Sequence, residues 1–191
     1  YGQDVFRRLA GRAGFPFLSA NVASTPDPLP VKSHVLIARP GAPTVAVFGL
    51  TTGELTTATH PRNVYGISVE EPIASARRLL PELRGQADLV IALSHMGIAD
   101  DRRLARALPE LDLVVGGHNH NVYAEPEMEN GVAIVQAGER GRRLGRLDLD
   151  CQDGRMVRVG YRLLDLGAGA PEAPEVAAEA AAIVAEAEKE L

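Results

Sequence analysis

A chain of 191 residues, 46% hydrophobic and 24% charged, is long enough to bury the core of one ordinary globular domain. Its 20 Lys and Arg against 25 Asp and Glu, a formal net charge of -5, give no broad cationic face, which argues against binding to nucleic acid or a membrane surface through bulk charge. No stretch reaches the roughly 20 apolar residues of a membrane helix, and the single cysteine, Cys151, can form neither an intramolecular disulfide nor a thiolate metal site by itself.

Residues 4–13 carry Val5, Phe6, Leu9 and Ala10 at helical spacing and predict a short amphipathic helix with Asp4 as N-cap and Gly14 at its exit. Residues 15–20 predict a strand that runs into an irregular, proline-bearing loop over 21–30. Residues 34–38 and 44–50 predict paired strands around the turn Arg39-Pro40-Gly41-Ala42. Residues 51–68 have threonines, Gly53, Pro61 and Gly66 but no clear period, so a long loop is expected; long loops in compact domains are often functional. Helical spacing resumes over 69–84 through Ile73, Ala76, Leu80 and Leu83, with Pro81 expected to kink the helix or end it early.

From there the pattern alternates as in α/β proteins. Residues 88–93 predict a strand buried on both faces, 101–108 a helix and 111–115 a second buried strand. Residues 132–137, 145–150 and 155–164 predict consecutive antiparallel strands, the last two joined at Asp153-Gly154, a strong hairpin signal. Residues 167–174 read as a Gly/Ala/Pro linker, and 176–191 as an alanine-rich helix with a stripe at Val176, Ala180, Ile183, Ala187 and Leu191. The expected organisation is one domain over 1–166, then a linker and helix over 167–191 that lead towards a further domain.

The chemistry gathers at two strand ends. Gly116-Gly117-His118-Asn119-His120 follows the apolar run 111–115, and Ser94-His95-Met96-Gly97 follows 88–93. Three of the 5 histidines thus leave the carboxyl ends of apolar strands, where open α/β sheets place their ligands. Neutral imidazole is the commonest side-chain ligand for zinc-like and iron-like cations, which makes His95, His118 and His120 candidate metal ligands. Asp100 and Asp101 have the position of helix N-caps more than of ligands or bases. His60 reads as a surface residue and His34 as structural. Asn119 and Asn121 would shape the turn by adopting left-handed backbone. Glu139 to Arg143 reads as a solvated charged loop, Cys151 as inert, and Asn21 as holding a loop near the site.

Five segments in register carry a resemblance: Phe15-Pro-Phe-Leu-Ser-Ala-Asn-Val22, Val47-Phe-Gly-Leu-Thr-Thr52, Leu93-Ser-His-Met-Gly97, Leu113-Val-Val-Gly-Gly-His-Asn-His120, and Gln136-Ala-Gly138 followed by Leu144-Gly-Arg-Leu147. The chain resembles the catalytic domain of the 5'-nucleotidase branch of the calcineurin-like metallophosphoesterases, which includes UDP-sugar hydrolases. The resemblance implies an αββα sandwich with mixed sheets, part of which this chain would form. It implies two divalent cations, with Zn, Mn, Co, Ni and Fe not distinguished. His95 and His118 match ligands of one and His120 the position that serves the other. The implied substrate is a small phosphate ester, not a nucleic acid polymer or a membrane, and the implied location is periplasmic, cell-wall or secreted.

The family's Asp-x-His, Gly-Asp and Gly-Asn-His-Glu/Asp motifs, which supply the bridging aspartate and the histidine that protonates the leaving group, stand upstream of the segment at 15–22 and are not among these residues. Tyr1-Gly2 matches the positions just behind them. The resemblance therefore implies a half-site with no catalytic residue of its own, and a polypeptide without appreciable phosphoesterase activity alone. Uncovered sheet would favour homo-oligomers. The alternatives are a degenerate stand-alone module that binds a metal or a partner, and a relative of thiosulfate-ester hydrolases.

Overall fold

The structure is a computed structural model that describes residues 2–152, 155–167 and 169–188. It opens with α1 (Gln3–Arg12), followed by the short strands β1 (Phe17–Leu18), β2 (Val22–Ser24) and β3 (Val31–Lys32). Phe6 of α1 meets Phe17 edge-on with ring centroids 5.1 Å apart, which seats the helix on β1. The N-cap lies two residues earlier than expected: Gly2 holds that position, and Asp4 lies inside the first turn, where its charge favours the helix dipole.

β4 (His34–Ile37) and β5 (Val45–Thr51) pair antiparallel, as their sequences suggest. The stretch read as a long loop contains a short helix, α2 (Leu55–Ala58), a 3-10 turn over Pro61–Asn63, and β6 (Ile67–Val69), which pairs with β2. These elements are too short to establish a period, so their order comes from pairing partners distant in sequence.

α3 (Pro72–Arg84) contains Pro81 without ending there. A proline inside a helix costs about 3 kcal/mol, but Leu80 and Leu83 on either side are buried to 4% and 0% exposure. Burying one leucine is worth roughly 1.5–3 kcal/mol, so the two together outweigh the defect.

β7 (Leu89–His95), α4 (Ile98–Ala107) and β8 (Leu113–Val115) follow, then β9 (Glu127–Glu129) and β10 (Val132–Val135). One six-stranded mixed sheet results, in the order β4-β5-β7-β8-β10-β9. Its four inner strands run parallel and the two edge strands antiparallel. β10 is thus a parallel partner of β8, not the first of three antiparallel strands. Its buried run Val132 to Val135 belongs between two covered faces, where parallel strands reside. The antiparallel pair is β11 (Arg143–Gln152) with β12 (Arg155–Asp165); the turn expected at Asp153-Gly154 lies outside the described residues.

Both faces of the sheet are packed. On one, Phe48, Leu50, Val90, Val114 and Ile134 meet Ile73, Leu80 and Leu83 of α3 and Leu104 and Ala105 of α4. On the other, Leu113, Ala133 and Val135 lie under Leu147, Met156, Val159 and Tyr161 of the β11–β12 hairpin. The result is the mixed α/β class expected, with helices, a mixed sheet and a hairpin as successive layers. α5 (Pro174–Ala187) follows the hairpin, with Val176, Ile183 and Val184 exposed. Among the described residues no helix is long and apolar enough to cross a membrane.

Candidate metal centre

Parallel pairing brings the carboxyl ends of β5, β7 and β8 side by side. Thr51 is in register with His95 and Leu93 with Val115, so the chain leaves β7 and β8 at neighbouring points of one sheet edge. His95 is the last residue of β7, and His118 follows β8 after Gly116 and Gly117. The two imidazoles stand edge-on with centroids 5.3 Å apart and planes at 79°.

The backbone at this corner is strained. His118 has φ 75° and His120 φ 60°, in the left-handed region that bulky residues seldom enter. The left-handed turn expected of Asn119 and Asn121 is taken instead by the two histidines. Asn119 fastens the loop by its side chain: Oδ1 accepts a hydrogen bond from the Ile98 N–H at 2.7 Å, which binds the His118 loop to the first turn of α4. Gly97, with φ 95°, lets the chain turn between His95 and that helix, and a side chain there would collide with Asn119.

Beneath the histidines lies a buried carboxyl. α4 begins at Ile98 with Gly97 as N-cap, so Asp100 and Asp101 sit inside its first turn and neither caps it. Asp100 is ion-paired to Arg103 at 2.6 Å. Asp101 is 1% exposed; its Oδ1 accepts from the Ser94 hydroxyl, and Ser94 Oγ in turn accepts from the Met96 N–H at 3.2 Å. Burial pushes the Asp101 carboxyl up to about 6, with the charge of Asp100 acting in the same direction and the Ser94 hydrogen bond opposing it.

Desolvation at its inner side, then the proximity of His118 and His120, lower the pKa of His95 from its ordinary value. That favours the neutral imidazole with a free lone pair, the form that ligates a metal. His118 Nε2 faces Glu54 Oε2 at 4.0 Å, and His120 Nδ1 lies 3.1 Å from Glu139 Oε2. His95 and His118 are therefore brought together, while His120 turns to the start of the charged loop. Sequence reasoning did not single out Glu54, and read Glu139 only as part of a solvated loop.

The other candidates have structural partners of their own. The His60 ring accepts from the Arg62 N–H and caps the 3-10 turn, and His34 is hydrogen-bonded to Ser33. Asn21, 3% exposed, holds both the N–H and the C=O of Thr51, the residue in register with His95, so it secures the loop as expected. Burial raises the pKa of Cys151, which keeps it a thiol.

Two imidazoles side by side at adjacent strand ends suit a divalent ion in kind. They do not suit it in number: among the described residues no group of three or more His, Cys, Asp and Glu is arranged to hold a metal.

No protein-family profile matches the chain. It is 32% identical over 185 residues to a 5'-nucleotidase of Vibrio cholerae, a match that covers 80% of the chain and 33% of that protein. Among solved structures, the sulfate thiohydrolase SoxB of Thermus thermophilus superposes with a TM-score of 0.89 at 25% identity, over 98% of this chain and 35% of SoxB. A 5'-nucleotidase precursor, also of Thermus thermophilus, superposes with a TM-score of 0.79 at 24% identity, over 100% of this chain and 41% of that one. The chain thus spans about a third of the length of the relatives it matches.

Proposed function

Because the chain belongs to the 5'-nucleotidase family of calcineurin-like metallophosphoesterases, we propose that it forms one wall of a divalent-metal centre that hydrolyses a small phosphate ester, with nucleotides as the substrate class. The observation that carries this reading is the edge-on pair His95 and His118 at adjacent strand ends. His95 and His118 would serve one ion and His120 a second. Residues 1–166 are the phosphoesterase portion, and 167–191 lead towards a further domain. The family's location outside the cytoplasm, in periplasm, cell wall or medium, is proposed for it as well.

A bound divalent ion would supply charge for the phosphate oxygens and lower the pKa of a water molecule. The residues of this chain do the holding. Desolvation keeps His95 neutral, Asn119 and Gly97 fix the His118 loop against α4, and Asn21 fixes Thr51 alongside. Because these residues gather no full ligand set, the 191-residue chain alone is expected to turn over no substrate.

The similarity to SoxB supports a second reading, in which the ester is a sulfur one, such as a thiosulfate ester. The test is hydrolysis of p-nitrophenyl phosphate, nucleotides and thiosulfate esters with manganese or cobalt, by the 191-residue chain and by a polypeptide extended upstream into the coding sequence. Turnover and two metals per chain are expected only in the extended form, both lost in His118→Ala. Turnover by the 191-residue chain after careful purification, or an extended form that binds no metal, would sink the reading; preference for thiosulfate esters would select the second.

A further inference from the structure

We propose that Asp101 is a positioning residue for the two metal-ligating loops: its buried carboxyl sets the separation of His95 and His118. The inference rests on the reading of those imidazoles as ligands and assigns the part that holds them.

Asp101 is out of place as a core residue. It is 1% exposed on an α4 face it shares with Leu104 and Ala105, and its Oδ2 has no hydrogen-bond partner among the described residues. An apolar side chain there would avoid the desolvation of a carboxyl. What a carboxyl does that leucine could not is reach both loops. Its Oδ1 accepts a hydrogen bond from the Ser94 hydroxyl, and that same hydroxyl accepts from the N–H of Met96. The backbone on either side of His95 is thereby fastened to α4.

Its other oxygen lies against the second loop. A Cβ built on Gly116 would stand 2.6 Å from Asp101 Oδ2, so only glycine lets the strand end settle on the carboxyl, while the Gly116 N–H donates to the Val135 carbonyl at 2.8 Å. One residue on, Gly117 packs against the His95 ring: a Cβ there would be 3.0 Å from His95 Nδ1. His118 follows directly. The carboxyl thus stands under Ser94 on one side and Gly116 on the other, each within two residues of a candidate ligand, and Asn119 to Ile98 closes the same turn of α4 from above.

The test compares Asp101→Ala, Ser94→Ala and Asp101→Asn in the 191-residue chain, with Leu104→Ala as a core deletion on the same helix. Two quantities are read: the nuclear Overhauser contact between the His95 and His118 rings without metal, and the dissociation constant for Co2+ by calorimetry. Asp101→Ala and Ser94→Ala should each lose the ring contact and bind Co2+ about 10- to 100-fold more weakly, the usual effect of removing a group that orients metal ligands. Asp101→Asn, whose Oδ1 still accepts from Ser94, should restore both, and Leu104→Ala should change neither.

Should Asp101→Ala fail to fold, Ser94→Ala decides alone. An unchanged ring contact in either folded variant, or an equal loss in Leu104→Ala, overturns the inference. A wild-type chain that binds no Co2+ yet shows an Asp101-dependent ring contact keeps the positioning role, and the metal reading is removed only if the form extended upstream binds no metal either.

Discussion

Asn119 Oδ1 accepts a hydrogen bond from the Ile98 N–H at 2.7 Å across 21 residues of sequence. Helix α4 has glycine at its N-cap, with no side chain to satisfy its first donors, so the cap comes from the loop that carries His118. The helix start and the ligand loop are one unit, and loosening either loosens both.

Asn119→Ala should therefore cost about 1 kcal/mol, the usual effect of a lost helix cap. Urea unfolding measures the loss, and faster amide exchange at Ile98 would locate it. Unchanged stability and exchange would mean that the contact carries no weight.

Elements with a strong period were legible in the sequence: β5, β7, β8 and α3 follow from apolar runs or helical stripes, and the histidines at strand ends follow from β7 and β8. β9 was not, because Glu127-Met128-Glu129 has no apolar face; its order comes from pairing with β10 and from Arg102 and Arg106 of α4, which ion-pair with Glu127 and Glu129. The supports of the site were also hidden. Asn119 to Ile98, Asn21 to Thr51 and Glu54 to His118 join residues far apart in the chain, and no local pattern reports such pairs. Local preference misassigned the left-handed turn to asparagine where tertiary contacts force it on His118 and His120.

That strain yields a comparison of two variants. At φ 75° a Cβ is disfavoured, by roughly 1–2 kcal/mol, whereas glycine adopts the conformation freely. Both His118→Gly and His118→Ala remove the imidazole, so the difference between them reads the backbone alone. His118→Gly should be the more stable by about 1 kcal/mol, less the entropy glycine adds to the unfolded chain. An alanine variant at least as stable as the glycine one would show that the loop relaxes out of this conformation.

Asp101 makes stability depend on pH in a stated direction. Its folded pKa, about 6, is raised above the ordinary 3.8, so its protonated form is the one the fold prefers. That contribution is fully present below pH 3.8 and is lost as pH rises through about 6. A shift of this size corresponds to roughly 3 kcal/mol. Asn has no such titration, so the stability of Asp101→Asn relative to wild type should rise by that order between pH 4 and 7, measured by urea unfolding across the range. A difference that stays flat with pH would place the carboxylate in an environment that solvates it.

The two edges of the sheet differ in protection, which bears on self-association. β9 is fastened by Arg102 and Arg106, whose charges crowd that edge. β4, at the opposite edge, pairs only with β5 among the described residues, and Leu36 and Ile37 on it are 42% and 46% exposed. An open strand with apolar side chains is a template for another copy of itself. The 191-residue chain should therefore associate through β4 as its concentration rises, and Ile37→Lys, which places a charge on that edge, should return it to monomer without loss of folding. Sedimentation equilibrium of both forms checks this; a wild-type chain that remains monomeric throughout would show that the residues around β1 and β3 shield the edge well enough.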